Sequence, residues 1–218
     1  PVTGNMSLVS DYRFRGLTQT FEEPALQGGF DYAHSSGIYL GNWNSAISDS
    51  FFAGSPLEMD FYGGYKGTAG ALGYDVGLLY YYYPGSNLAG VGTIDNVELY
   101  AGVSWKFISL KYFHAVSDFF GAPNTDGSNY VDFTATWDLG QGWGLNGHIG
   151  HQEVKNASAL DYTDYKIGIT KDVGGWVFGA AFIDTDADSA VYTFTNAASG
   201  KTTNVGDSTV VLSVSKTF

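Results

Sequence analysis

The chain has 218 residues and a net charge of −12, so it lacks the excess of cations with which proteins bind nucleic acid. Aromatic residues make up 17% of it and charged residues only 15%, and no apolar run approaches the roughly 18 residues of a transmembrane helix. The absence of cysteine excludes disulfides and thiolate metal sites. The chain starts without a charged and apolar leader, so we expect any signal peptide to have been removed already.

Segments that alternate apolar and polar residues follow one another along the chain, separated by glycine, asparagine, aspartate, serine and proline. This pattern predicts an all-β protein with a single domain over residues 1–218. The twelve predicted strands are 5–16, 25–34, 37–48, 57–67, 71–83, 95–107, 108–118, 129–138, 142–153, 162–172, 175–185 and 208–218. The alternative is a barrel of ten strands, because segments three and eleven of this series alternate least clearly.

The connections between these segments alternate in length. Tight turns follow the even-numbered segments, whereas longer and more polar connections follow the odd-numbered ones, the longest at about residues 186–207. Short turns at one end and long loops at the other are typical of a transmembrane antiparallel up-and-down β-barrel. We therefore predict a barrel of the bacterial outer membrane with short periplasmic turns, longer extracellular loops and both termini on the periplasmic side.

One face of the clearest segments is apolar and the other polar, as expected for strands between lipid and a wet interior. Glycines inside the segments suit the curved wall of a barrel. We expect the following side chains to contact lipid: Leu57, Met59, Phe61, Val97, Leu99, Val131, Phe133, Val210 and Leu212.

Tryptophans lie close to the predicted tight turns, where amphipathic indoles would mark a membrane–water boundary. The alternative is that they pack in a core. The four tryptophans are Trp105, Trp137, Trp143 and Trp176, and the aromatic residues expected at the opposite boundary are Tyr12, Phe14, Tyr80 and Tyr82.

The opening of the chain is similar to that of a known family. Residues 7–16, with the sequence SLVSDYRFRG, precede Thr18-Gln19-Thr20, and residues 24–32 read PALQGGFDY. These blocks resemble the start of the TorF-like porins of Gram-negative bacteria, and the resemblance covers the whole chain. It implies an outer-membrane barrel with a pore, and it does not indicate a substrate. The terminal Phe218 is similar to the signal by which the outer-membrane assembly machinery recognises its clients.

Charged side chains on the predicted inner faces are candidates for lining a pore. Segment 1 is predicted to send Arg13 and Arg15 inward, and segments 6 and 8, nearly opposite in a ring of twelve, send carboxylates inward. This predicts a transverse field across about 10 Å of water. The alternative is that Arg13 pairs locally with Asp11 or Asp31. The candidate pore-lining residues are Asp11, Arg13, Arg15, Asp31, Glu58, Asp60, Glu98, Lys111, Asp132, His148, Asp164 and Lys166.

The long connections are strongly acidic. Twelve acidic residues and only two lysines lie in or beside them, which leaves a net charge of −10. Such a rim would raise the local concentration of cations, although the carboxylates could also be simply solvated. Asp184, Asp186 and Asp188 alternate like calcium ligands, without the glycine and final glutamate of an EF-hand, and are a candidate site for a divalent cation. No cofactor is expected.

Catalysis would need a base oriented by an acid beside a nucleophile. Neither His114 nor His151 has an acid on its own face, so no enzyme is predicted. The expected function is passive diffusion of ions and small solutes with a preference for cations. The alternatives are a non-conducting structural or adhesive barrel and, behind it, a lipid- or peptide-hydrolysing enzyme. The expected partners are outer-membrane lipid and lipopolysaccharide, small solutes and ions, and the assembly machinery.

Overall fold

Twelve antiparallel strands follow one another around a closed ring in the computed structural model, which describes residues 1–218. The ring closes where the last strand pairs with the first, with Asn5 opposite Thr217. The twelve strands are β1 (Val2–Val9), β2 (Ala25–Ala33), β3 (Ile38–Ala46), β4 (Leu57–Ala69), β5 (Leu72–Tyr82), β6 (Asn96–Trp105), β7 (Ile108–Ala115), β8 (Asn129–Gly140), β9 (Trp143–Glu153), β10 (Tyr162–Val173), β11 (Trp176–Thr185) and β12 (Thr209–Thr217). The prediction of a twelve-stranded barrel is confirmed, and the two segments with the weakest alternation are its strands β3 and β11.

The predicted alternation of loop lengths is also confirmed. Five tight turns and both termini lie at one end of the barrel, which we call the short-turn end. Six longer loops lie at the other, which we call the long-loop end. We number them loop 1 to loop 6; they span residues 10–24, 47–56, 83–95, 116–128, 154–161 and 186–208. Single turns of 3-10 helix lie in loop 4 (Phe119–Gly121) and loop 5 (Ser158–Leu160), and a short hairpin in loop 6 pairs Thr193–Thr195 with Thr202–Asn204. No helix is long and apolar enough to cross a membrane.

The prediction that the first strand reaches residue 16 is wrong beyond Val9. Residues Arg13–Phe14 pair instead with Leu17–Thr18 in a short hairpin, because Arg15 and Gly16 turn the chain with φ values of 47° and 82°. The carboxylate of Asp11 accepts hydrogen bonds from the hydroxyls of Thr18 and Thr20, at 2.5 and 2.9 Å, and these bonds within loop 1 stabilise the hairpin.

The outside of the barrel is apolar. All nine side chains predicted to contact lipid lie on this surface and none is buried; Leu99 and Val210, for example, are 47% and 59% exposed. A closed barrel with an apolar outer surface has the form of a transmembrane barrel, because its strands leave no unpaired backbone toward lipid.

Aromatic residues mark the short-turn end of this surface. The four predicted tryptophans are each 41–43% exposed there. Three are covered by lysine ammonium groups at 4.3–4.9 Å from a ring centroid: Lys106 over Trp105, Lys171 over Trp143, and Lys216 over Trp176. Indole and ammonium groups placed together suit the boundary between lipid and water. At the other boundary the prediction is wrong for Tyr12 and Phe14, which lie inside the barrel with loop 1 and pack in its aromatic core.

Candidate functional site

A cavity of about 710 Å³ occupies the interior of the barrel. Its wall combines side chains of loop 1 with inward-facing side chains of β4, β5 and β7 to β11. Along β8 the inward side chains grow more accessible toward the short-turn end: Tyr130 is buried, Asp132 and Thr134 are half-buried, and Thr136 is exposed. Water therefore reaches the interior from the short-turn end, whereas loop 1 fills it at the long-loop end.

Arg15 fixes loop 1 to the barrel wall. Its guanidinium donates to Glu98 Oε2 on β6 and to Gln152 Oε1 on β9, both at 2.7 Å, and lies 4.2 Å from the centre of the Tyr130 ring. Burial alone would lower the pKa of Arg15, but the carboxylate of Glu98 raises it above its usual value, so the side chain stays charged. The ion pair is nearly inaccessible to solvent.

The predicted transverse field is therefore wrong for Arg15. The arginine meets its carboxylate directly rather than across open water, because loop 1 carries it into the middle of the barrel. A strand running to residue 16 would have kept Arg15 in the wall.

Arg13 makes the local pair that was the alternative prediction. Its Nε donates to Asp11 Oδ2 at 2.5 Å, and its Nη1 donates to the carbonyl oxygens of Gly16, Val205 and Asp207 at 2.9–3.2 Å. Arg13 thus ties loop 1 to loop 6. The other candidate partner, Asp31, lies on β2 and accepts a hydrogen bond from Tyr62 at 2.6 Å.

Tyrosine hydroxyls satisfy two buried carboxylates. Glu58 accepts hydrogen bonds from Tyr12 at 2.6 Å and from Tyr83 at 2.8 Å, so it too is held by residues of the loops. Asp164 accepts a bond from Tyr130 at 2.8 Å. Asp60 also lines the cavity, but it differs because its Oδ1 is buried without a hydrogen-bond partner in the protein.

His148 lies between two carboxylates on the cavity wall. Its Nε2 is 2.7 Å from Asp164 Oδ1 and its Nδ1 is 3.4 Å from Asp132 Oδ1. Lys166, from the next strand, also lines the cavity and is exposed to solvent there. This part of the wall presents both signs of charge within one cavity, which suits small polar solutes and ions rather than apolar ones.

Lys111 lies nearer the short-turn end, half-exposed, with its ammonium 2.8 Å from Asp75 Oδ2. Asp75, on β5, was not among the predicted residues. The hydroxyl of Tyr39 donates to the other oxygen of Asp75 at 2.5 Å.

The three aspartates predicted as a cation site do not converge. Asp184, Asp186 and Asp188 each accept a hydrogen bond from a backbone N–H group, of Thr185, Thr163 and Ala190 respectively. No group of three or more histidine, aspartate or glutamate side chains is arranged to hold a metal ion. The prediction is wrong because each carboxylate bonds to a different backbone N–H group instead of facing one point with the others.

Two of the histidines considered for catalysis contact neutral groups. The Nδ1 atom of His114 is 2.7 Å from Asn129 Oδ1, and that of His151 is 3.1 Å from Thr163 Oγ1.

Several residues of the site were missed. Gln152 shares the period-2 face of His148 on β9, so the alternation could have identified it. The tyrosines that bond to the carboxylates carried no such signal, since Tyr12 belongs to a loop and Tyr130 can face either water or lipid at a boundary.

Solved outer-membrane porins share this fold. The KdgM porin, in complex with disordered oligogalacturonate, superposes with a TM-score of 0.60 at 6% identity, covering 100% of this chain and 98% of that one. The NanC porin gives 0.58 at 10% identity, with coverage of 100% and 99%. An outer membrane channel from Pseudomonas putida F1 gives 0.53 at 12% identity, with coverage of 100% and 95%. At these identities the likeness establishes the porin fold and no more.

No curated protein matches the chain. The resemblance to TorF-like porins agrees with the porin fold, but the comparisons do not confirm that name. A family profile does match every residue from 1 to 218, and it shows that the chain belongs to the family described as "Bacterial protein of unknown function (Gcw_chp)".

Proposed function

We propose that this barrel is an outer-membrane channel for the passive diffusion of ions and small polar solutes. The observation that carries the proposal is the interior cavity of about 710 Å³ with charged and polar walls inside a closed barrel whose outside is apolar. A barrel that served only as an anchor would need no buried charges in its interior, and each of them costs free energy to desolvate.

Loop 1 sets the narrowest point of this channel. It is held in the interior by the contact of Arg15 with Glu98 and Gln152, at the level where inward-facing side chains are buried. We therefore expect a small conductance. The same filling of the long-loop half favours the second candidate, a non-conducting structural or adhesive barrel.

The permeant solutes are cations and neutral molecules in preference to anions. The rim at the long-loop end comprises the loop residues and the adjoining Glu153 and Asp184, without Asp11, Arg13 and Arg15, which lie inside the barrel; it carries a net charge of −10. Its two lysines are engaged, Lys155 with the carbonyl of Asp126 and Lys201 with Glu22. An acidic rim of this kind attracts cations within a Debye length of about 8 Å. The KdgM porin was solved with oligogalacturonate, an acidic oligomer, and the acidic rim of this chain would repel a solute of that charge.

A barrel in the outer membrane is expected to have its long loops outside the cell and both termini in the periplasm. The apolar wall contacts outer-membrane lipid, and the acidic loops meet the lipopolysaccharide layer. Phe218 is 67% exposed beside the N-terminal strand, with its backbone bonded to Gly4, and is the residue offered to the assembly machinery.

Single-channel recording in a planar bilayer tests the channel and its constriction together. We expect discrete steps from the unmodified protein and larger steps when residues 13–18 are replaced by glycine and serine. A matched control replaces residues 197–200 in loop 6, at the tip of a hairpin away from the interior; it leaves Lys201 and its contact with loop 1 in place and should leave the steps unchanged. Absence of steps from all three proteins would favour the non-conducting barrel, and equal steps from all three would show that loop 1 is not the constriction.

A further inference from the structure

A second cavity, of about 440 Å³, lies at the long-loop end and is almost entirely apolar. Fifteen of its seventeen lining residues are hydrophobic, and all six long loops contribute to it, from Leu17 of loop 1 to Phe194 of loop 6. No charged side chain lines it, although the loops around it are strongly acidic. A cavity assembled from six separate loops is a built feature of this end of the barrel.

We propose that this cavity binds a small uncharged molecule with one or two aromatic or alicyclic rings. The size agrees, since a cavity of roughly 150 Å³ already holds benzene and ligand pockets start at about 300 Å³. The rings of the wall meet edge to face: Phe51 lies 4.8 Å from Phe194 and 5.0 Å from Phe52 between ring centroids. Walls of this kind offer both ring faces and ring edges to a planar ligand.

Ligands with several polar groups are disfavoured because most polar groups of the wall are already occupied. The Gln19 amide donates to the carbonyl of Leu17 at 2.8 Å, and the Tyr192 hydroxyl donates to the carbonyl of Leu160 at 2.7 Å. The Tyr83 hydroxyl is taken by Glu58. A sugar would therefore lose its hydration without replacement, and an anion would also meet the acidic rim.

Tyr162 supplies the one polar group that a ligand could use. It is 5% exposed, lines the cavity and packs against Tyr192 with 5.4 Å between the ring centroids. No hydrogen bond joins its hydroxyl to the rest of the protein, whereas the Tyr83 and Tyr192 hydroxyls both have partners. A buried side chain whose hydroxyl has no partner in the protein favours a ligand that brings one hydrogen-bonding atom. A ring compound with a single hydroxyl fits both the apolar walls and this group.

The site is reached from outside the barrel rather than from the charged interior. Leu88 and Phe194, at 42% and 37% exposure, lie at its outer edge. At its inner edge Phe14 lines both this cavity and the charged one, so its ring separates them. Arg15, the next residue in the chain, lines only the charged cavity. Binding here goes beyond conduction and does not depend on whether the barrel conducts.

Calorimetric titration of 2-naphthol into the full-length barrel in lipid nanodiscs tests the proposal, with empty nanodiscs as the blank. We expect saturable binding of one molecule per barrel, at least tenfold tighter than that of 2-naphthalenesulfonate, which has the same rings and a negative charge. Ala122→Phe fills the cavity from an extended backbone position and should weaken binding at least tenfold. Ala198→Phe, an exposed alanine at the same end and outside the cavity, should not change it.

Three outcomes would overturn the proposal: no saturable heat above that of the empty nanodiscs, equal affinity for the sulfonate, or an Ala122→Phe variant that binds like the unmodified protein. The thermal stability of both variants is measured in parallel, and if Ala122→Phe fails to fold, Leu160→Asn on the cavity wall replaces it with the same expected loss. Conductance is recorded on the same preparations. Binding that fails while conductance persists refutes the ligand site alone, and the reverse result refutes only the channel.

Discussion

Arg15 and Glu98 form a buried ion pair at the point where loop 1 meets the barrel wall, 2.7 Å apart and almost inaccessible to solvent. Two charges removed from water remain stable only while each satisfies the other. Gln152 and the ring of Tyr130 complete the surroundings of the guanidinium. Removal of either partner therefore lowers the free energy of unfolding by more than the modest net contribution of the intact pair.

Replacement of Arg15 by methionine should lower the free energy of unfolding by about 3–5 kcal/mol, because Glu98 would be left buried without its cation. The double variant Arg15→Met, Glu98→Gln should recover most of this loss, since the amide that replaces the carboxylate carries no charge and can still accept a hydrogen bond from Tyr81. Urea unfolding in lipid vesicles, followed by tryptophan fluorescence, measures both. A double variant as unstable as the single one would show that packing, rather than charge, holds loop 1.

Gly16 allows the hairpin of loop 1 to lie against the wall. Its φ is 82°, and a Cβ atom there would come within 2.5 Å of Thr185 Cγ2 and 2.7 Å of Asp164 Cβ. We expect Gly16→Ala to displace the hairpin and expose the bonds after Arg13 and Arg15 to trypsin, detected by mass spectrometry. Gly200→Ala is the matched control, because Gly200 has a φ of 70° but open space around it. Equal protection of these bonds in both variants would contradict a steric role for Gly16.

The alternation of residue types predicts which way a wall residue faces, and it predicts little about what the residue meets. Glu58, Glu98 and Asp164 were predicted to point inward, and all three are buried inside the barrel. Glu98 bonds to Arg15 and Glu58 bonds to Tyr12, and both partners belong to loop 1. Nothing in the spacing of the sequence indicates these contacts. The alternation of Tyr12 to Arg15 suits a strand equally well, so only the backbone turn at Arg15 and Gly16 distinguishes the hairpin from a continuing strand.

At the scale of single elements, the barrel strands follow directly from period 2 because each has one face to lipid and one to the interior. This held even for β3 and β11, which pair with their neighbours in the ring through backbone hydrogen bonds that do not depend on the side-chain pattern. Loop 1 could not be predicted in the same way, because its position depends on contacts with β6, β9 and loop 6 that are remote in sequence.

Leu99 on β6 tests the assignment of the outer surface to lipid. It is 47% exposed on the apolar side, so Leu99→Arg should lower the free energy of unfolding in lipid vesicles by about 2–4 kcal/mol. Leu72→Arg is the matched control, since Leu72 is similarly exposed but is the first residue of β5 beside a tight turn, where the cost falls to about 0–1 kcal/mol. Equal costs at the two depths would argue against a bilayer around this band.

At the scale of the whole molecule the barrel has two unlike halves. The long-loop half is filled by loop 1, by paired charges and by two aromatic clusters. The short-turn half keeps a wet interior with exposed charged side chains such as Lys166. A solute that crosses such a barrel meets the acidic rim and the narrow half first, so both selectivity and conductance are set at the long-loop end.

Neutralising the rim should therefore change ion selectivity, and neutralising the opposite end should not. We expect Asp184→Asn, Asp186→Asn and Asp188→Asn together to reduce the preference for cations, most clearly at low salt where screening is weakest. Asparagine can still accept the backbone hydrogen bonds that these side chains make, so the loop should keep its shape. The control changes Asp138 and Asp172, which accept similar turn hydrogen bonds at the short-turn end, to asparagine. The measurement is the reversal potential across a bilayer under a potassium chloride gradient. A potential that is unmoved by the triple change, or moved as much by the control, would leave the rim carboxylates as solvated surface charges with no part in permeation.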